Sequence, residues 1–387
     1  MMHLKQYLSC FVLLRLLRGV QACVSPPPTP AAFTDFNDNV VFVPASDYTS
    51  WRTIYARPLQ LPDNSLLMTW EDYPPEPPLA HFPIYRSTDG GATWSAYSQV
   101  NDLVNGWGNR YQPFLYLLEE PFGGFPKNTV LCAGASVPAN LSEAYIDLYA
   151  STNNGLSWEF VSHIAYGSGP ETVTNGNKAI WEPFLMIYGG EMIVYFSDQR
   201  DPLHAQKLSH VTSTDLKTWS SEVDDVAYST YTDRPGMAVV AYIESTGNYI
   251  MTYEYCGSAK CQAHYKISSS PLQFSSATGY PIASNDSSNT IPYGSPYVIW
   301  TENPARDDGS GLIIMNGNSV SDVFINEDSA PVDGWKLVDV GQWSAYSRAL
   351  RIINDQGTNK LMLANGGNMV SDTSCNYVVC GVVDIPT

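Results

Sequence analysis

The sequence predicts an all-β chain folded as a six-bladed β-propeller, and three observations carry that prediction. Helical periodicity is almost absent: the apolar runs are short, rich in Val, Ile, Tyr and Phe, and divided by Gly, Asn, Asp and Ser clusters. Strand pairs recur along the chain, each opening at a residue that precedes proline. A hairpin-turn signature then returns at the same place in successive units. A tandem of two β-sandwiches would share the first observation but leave the regular openings unexplained, whereas radial repetition accounts for both.

The units open at Arg57-Pro58, Gln112-Pro113, Glu182-Pro183, Arg234-Pro235 and Ser295-Pro296, with the prolines 55, 70, 52 and 61 residues apart. A sixth unit begins near Ser347-Arg348 without the proline. Buried second strands are expected at Leu66 to Trp70, Val130 to Ala133, Met192 to Phe196, Tyr249 to Tyr253, Leu312 to Met315 and Lys360 to Ala364. After the third strands stands the S-x-D-x-G-x-T-W pattern known as the Asp box. It is complete at Ser87–Trp94, carries Asn for Asp at Ser151–Trp158, and is shortened at Ser213–Trp219. Its Asp and Ser/Thr side chains bond the backbone of a hairpin turn while the Trp packs beneath. Val40 to Val43 is left over and is expected to complete the last blade, joining the two ends of the ring.

Residues 1–22 read as a secretory signal, with Lys5, an apolar stretch from Leu8 to Leu17 and the small-residue site Val20-Gln21-Ala22. The apolar run is too short to span a bilayer. Residues 23–35 form a Pro-rich segment and 36–387 one propeller, so a secreted, extracellular protein with no membrane partner is expected. The composition is globular, with 44% hydrophobic and 15% charged residues. The net charge of −18 becomes −21 once the signal is removed. A field of that sign repels nucleic acids, anionic membranes and acidic polysaccharides, so a neutral partner fits. Abundant Tyr and Trp, 25 and 10, together with few charges suit a sugar. No stretch suggests an interface helix, and a monomer is expected.

Outside the signal stand Cys23, Cys132, Cys256, Cys261, Cys375 and Cys380. Cys256/Cys261 and Cys375/Cys380 share C-x4-C spacing, which predicts two local disulfides; the rival is a zinc site, but zinc pairs favour two-residue spacing and secretion favours oxidation. Asn140 and Asn285 head glycosylation sequons. The six histidines are scattered without ligand spacing, and no Gly-rich phosphate loop or nucleophile elbow is present, so no metal and no cofactor are expected.

The residues before the opening prolines are expected to line the central channel: Arg57, Gln112, Glu182, Arg234, Ser295 and, at the sixth opening, Tyr346 or Ser347. Converging polar groups in a concavity are the default ligand site; the alternative is that they bond one another and plug the channel. The second strands deliver Glu71-Asp72, Asp198 and Glu254 where they end. Glu254 and Glu182 both sit in apolar surroundings, which raise a carboxyl pKa as a general acid requires. Two such carboxylates facing one pocket suit glycoside hydrolysis, with retention at about 5–5.5 Å separation and inversion at about 6.5–9.5 Å. The alternative for either is an ion pair with Arg57 or Arg234.

The Asp boxes, Tyr55-Ala56-Arg57-Pro58-Leu59 and Leu66-Leu67-Met68-Thr69-Trp70-Glu71 resemble the sialidase superfamily of propellers. Ala179–Phe184 and Ile250–Cys256 bring the chain nearer to the fungal exo-1,5-α-L-arabinanases of glycoside hydrolase family 93, a likeness running from about Phe36 onward. That resemblance implies Glu182 and Glu254 as the catalytic pair, retention, no metal, and release of arabinobiose from the non-reducing end of linear arabinan. Glu182 is read as nucleophile and Glu254 as acid/base. Arg57, Gln112, Arg234 and Ser295, with Tyr346 and Arg348, are then assigned to the substrate, and Trp107, Trp181 or Tyr253 to stacking on sugar faces. A sialidase would instead use Arg57, Arg234 and Arg348 as a carboxylate clamp and Tyr346 as nucleophile. A non-catalytic carbohydrate-binding propeller would leave both glutamates without a task.

Overall fold

The computed structural model of the chain describes residues 27–387 apart from 259, 328–331, 371–372 and 374. The proposed signal, Cys10 and Cys23 lie outside the described residues. Among the described residues the strands form six antiparallel four-stranded sheets, with a single 3-10 turn at Phe274–Ser276. Each sheet is a blade. The first strands, Thr53–Gln60, Asn109–Leu117, Ile180–Tyr188, Pro235–Ile243, Tyr297–Glu302 and Ala349–Asp355, touch one another in a closed cycle and so line the channel.

Second strands such as Leu66–Asp72 and Val130–Ser136 are buried at every position. Each is covered on both faces by neighbouring blades, which is why these runs do not alternate apolar with polar. The ring closes as expected: Phe36–Phe42 pairs with Val378–Asp384 and supplies the outermost strand of the sixth blade.

The Asp boxes work as local clamps. Thr93 N and Ser87 Oγ donate to Asp89 Oδ1 at 2.9 and 2.8 Å, and Trp94 Nε1 caps Gly91 O at 2.9 Å. Ser157 N donates to Asn153 Oδ1 at 3.0 Å in the second box, and Thr218 N to Asp215 Oδ1 at 2.7 Å in the third.

A second repeat, not marked by proline, governs what faces the channel mouth. Near the start of every first strand one residue is left-handed: Tyr55 (φ 56°), Gln112 (50°), Glu182 (63°), Met237 (60°), Ser295 (38°) and Ser347 (57°). In the first four blades the ladder register slips there, the signature of a bulge that re-aims a side chain. The ring is therefore Tyr55, Gln112, Glu182, Met237, Ser295 and Ser347. Arg57 lies two residues beyond its bulge and Arg234 three before its own, so neither holds the place that the proline pattern gave it.

Cys256 and Cys261 form the expected disulfide. The Cys375–Cys380 pairing is corrected: Cys380 is a free, buried thiol, while Cys375 is bonded elsewhere. Cys380 sits within the strand Val378–Asp384 and turns into the core, its Sγ 3.9 Å from Gly91 O. Asn140 and Asn285 are exposed.

Candidate active site

The second strand of each blade runs back to the channel mouth and presents one side chain opposite the residue that precedes the bulge. In register these are Glu71 opposite Ile54, Ala135 opposite Tyr111, Ser197 opposite Trp181 and Glu254 opposite Gly236. Three of the four are polar, and the next blade's bulge receives them. Gln112 N donates to Glu71 Oε2 at 3.0 Å, Met237 N to Ser197 Oγ at 3.0 Å, and Ser295 N to Glu254 Oε2 at 3.0 Å. The left-handed backbone thus uses its N–H groups to hold two carboxylates and one hydroxyl of the preceding blades.

Glu182 rises from its own bulge into this ring. Tyr55 OH donates to its Oε1 at 2.9 Å and Ser197 Oγ to its Oε2 at 2.7 Å. Burial raises its pKa, while these two donors and the Arg234 charge pull it back. Glu254 has one donor, Ser295 N; its Oε1 lies 3.6 Å from the Cys256 sulfur. Burial, and then the charge of Glu182, push it up to about 7. Gly236 lies beside Glu254 and Ser197: a β-carbon there would stand 3.5 Å from Glu254 Oε1 and 3.4 Å from Ser197 Oγ. Although Glu254, Cys256 and Cys261 cluster within 4.8 Å, the two sulfurs are bonded to each other and offer no thiolate to a metal.

A third carboxyl belongs to the site. Glu71 is buried, accepts from Tyr73 OH and Gln112 N, and is pushed up to about 8 by desolvation. Tyr346 stands over Tyr55 at 5.3 Å in an edge contact, within the field of Glu254, Glu182 and Glu71, and burial keeps its hydroxyl protonated. Tyr73, Tyr111 and Trp181 continue outward as an aromatic rim, with successive centroids 6.5 and 6.3 Å apart.

Of the expected site residues, Glu182, Glu254, Arg234, Trp181 and Tyr346 gather at the mouth. Arg234 is held by Gln206, its Nη2 donating to Gln206 Oε1 at 3.0 Å. Gln112 reaches the ring but is buried, with Oε1 unbonded. Four expectations are corrected. Arg57 is a buried plug: it donates to Ser347 O and Oγ and to Ala56 O, and lies between the rings of Tyr55 and Tyr297. Arg348 points into the blade and donates to the carbonyls of Ser321, Trp343 and Asp322. Ser295 is fully buried, its Oγ accepting from Ser347 N. Tyr253 faces the core and bonds Tyr228, because strand alternation sends it the opposite way from Glu254. Arg57, Arg234 and Arg348 consequently do not converge into an anion clamp. Asp198 is also structural, paired with Arg200.

The residues missed are Tyr55, Tyr73, Ser197 and Gln206, with Glu71 noticed only as a strand end. Glu71 had a signal: Trp70-Glu71 and Tyr253-Glu254 are the same aromatic-acid ending in two blades.

No protein-family model matches the chain, and no match was found among curated proteins. Among solved structures it is similar to the family 93 α-L-arabinofuranosidase of Fusarium graminearum in complex with arabinobiose, with 43% identity, 90% of this chain and 98% of that chain covered, and a TM-score of 0.85. It is similar also to the Penicillium chrysogenum α-L-arabinanase complexed with arabinobiose, at 42% identity over 91% of this chain and 98% of that one, TM-score 0.85. The NanB sialidase of Streptococcus pneumoniae, 10% identical with a TM-score of 0.57 over 94% of this chain and 71% of that one, shares the fold alone. A propeller with buried carboxyls converging at its channel mouth, and with these relatives, is a glycoside hydrolase. The chain belongs to glycoside hydrolase family 93.

Proposed function

We propose that the protein is an exo-acting arabinanase that removes arabinobiose from the non-reducing end of linear α-1,5-L-arabinan with retention of configuration. The observation that carries this reading is the unequal support of two facing carboxyls: Glu182 accepts two side-chain hydrogen bonds, whereas Glu254 accepts one and is held near neutrality. Hydrogen bonds to a carboxylate favour its ionised form, so Glu182 suits the nucleophile and Glu254 the acid. A Glu182 oxygen attacks the anomeric carbon while Glu254 gives its proton to the departing glycosidic oxygen. Glu254, now ionised, takes a proton from water as that water attacks the glycosyl ester, which frees Glu182 and restores the acid. Arabinobiose bound in the two similar structures supports the product, and the net negative charge suits a neutral sugar. We read the protein also as secreted and monomeric, carrying glycans at the exposed Asn140 and Asn285.

Product analysis on linear 1,5-arabinan tests the activity. Arabinobiose as the sole early product, abolished in Glu182→Gln and Glu254→Gln, is expected; a ladder of oligomers would reject the exo reading. Azide rescue separates the two roles: Glu254→Gly should yield a glycosyl azide of retained configuration, and Glu182→Gly one of inverted configuration. The reverse pattern would exchange the assignments.

A further inference from the structure

The first strands run in the same sense around the ring, so the end of the channel opposite Glu182 is lined by their later residues. A cavity of about 370 Å³ opens there, walled by Phe114, Tyr116, Phe184, Tyr242, Tyr297 and Trp300. That volume falls within the ~300–1,000 Å³ of small-molecule sites. Phe114, Phe184 and Tyr297 separate it from the small space beneath the active site.

Arg351 projects from the strand Ala349–Asp355 into this cavity. Among the described residues its guanidinium makes no hydrogen bond and no ion pair, and its Nε is buried without an acceptor. The other arginine of the channel shows what satisfaction looks like: Arg57 gives three hydrogen bonds and lies between two tyrosine rings. Arg351 is half-buried, so of the five donors in its planar fork the Nε is shut from water without an acceptor, while the fork's outer edge faces the open cavity. Glu119, exposed at the cavity edge, favours the Arg351 charge from a distance but forms no ion pair with it. Arg351 thus offers the cavity a cation of carboxylate-matching shape, beside aromatic and aliphatic side chains and strand backbone.

We propose that this far end of the channel is a second ligand site, taking a small monocarboxylate whose body is an aromatic or aliphatic ring. The carboxylate receives the Arg351 fork and the ring packs among Tyr116, Tyr297 and Phe184. The site is separate from glycoside hydrolysis and does not depend on the arabinan reading.

Calorimetric titration of the full chain with benzoate, at low ionic strength, tests the proposal, with benzyl alcohol as the uncharged control. A saturable one-to-one isotherm for benzoate, weakened about tenfold or more for benzyl alcohol and in Arg351→Leu, is the expected result. Added arabinobiose should leave benzoate binding unchanged. Absence of a benzoate isotherm, equal binding of the alcohol, undiminished binding by Arg351→Leu, or displacement by arabinobiose would each overturn it. Should Arg351→Leu not fold, the alcohol and arabinobiose comparisons on the natural chain still decide.

Discussion

The backbone N–H of Ser295 donates to Glu254 Oε2 at 3.0 Å, across the boundary between the fourth and fifth blades. In the proposed mechanism that leaves Oε1 to carry and deliver the proton, and the contact ties the Glu254 carboxyl to a neighbouring blade.

The pH profile should show this acid. Glu254 is raised to about 7 by burial and by the nearby Glu182 charge. As an acid it acts while protonated, so kcat/KM should fall as pH rises through about 7. A rate profile of Glu254→Gln on an activated aryl arabinobioside, which needs little protonation, should lose that basic limb.

Stability should move in the same direction. Folding raises Glu71 to about 8 and Asp72 to about 7 from ordinary values of 4.5 and 3.8. Between those limits the native state binds more protons than the unfolded chain, so unfolding free energy decreases as pH rises from about 4 to 8. Melting temperatures taken at pH 5, 6, 7 and 8 should descend, and Glu71→Gln should flatten the descent.

Ser197 Oγ donates to Glu182 and accepts from Met237 N. Ser197→Ala removes a hydrogen bond to a charged group, of about 1.5–3 kcal/mol, so kcat/KM on arabinan should drop by roughly 10–100-fold. Tyr55→Phe should produce a fall of similar size, because it removes the other donor to Glu182.

Gly236→Ala tests the space beside Glu254 and Ser197. The new β-carbon would stand 2.7 Å from Gln206 Nε2 and force that side chain aside, breaking its bonds to Pro235 O and Arg234. Activity should suffer through a displaced Arg234 while the melting temperature changes little, because the obstructing atom ends a flexible side chain. A large fall in melting temperature with normal activity would refute this.

The Cys256–Cys261 bridge holds more than its own loop. Cys256 N donates to Arg234 O at 3.1 Å and Gly294 N to Cys261 O at 2.8 Å, so the loop links Arg234 to the segment carrying Ser295. Replacing both cysteines by serine should lower kcat more than stability, since a loop this short constrains the unfolded chain less than the ~3 kcal/mol case of 15 residues.

The fold was legible because each blade repeats one hydrophobic plan and three of them carry a turn motif with fixed chemistry. The two glutamates were legible as charges inside apolar strand ends. Channel position was misread where proline and bulge part company: Glu182, Gln112 and Ser295 precede both a proline and the channel, but Arg57 and Arg234 precede only the proline. Tyr253 was misplaced by one step of strand parity, and Cys380 by trusting spacing over the strand that contains it. Glu71, Ser197 and Tyr55 share no motif; only the blade-to-blade register brings them together.

The sixth blade borrows its outermost strand from Phe36–Phe42, and Tyr346 meets Tyr55 across that seam. A growing chain with five finished blades already owns both glutamates, yet it lacks the wall that completes their pocket. Catalytic competence should therefore await closure of the ring, when Val378–Asp384 pairs with Phe36–Phe42. Turnover of sugar can then serve as a clock for ring closure, timing an assembly step that spectroscopy of the individual strands would not distinguish.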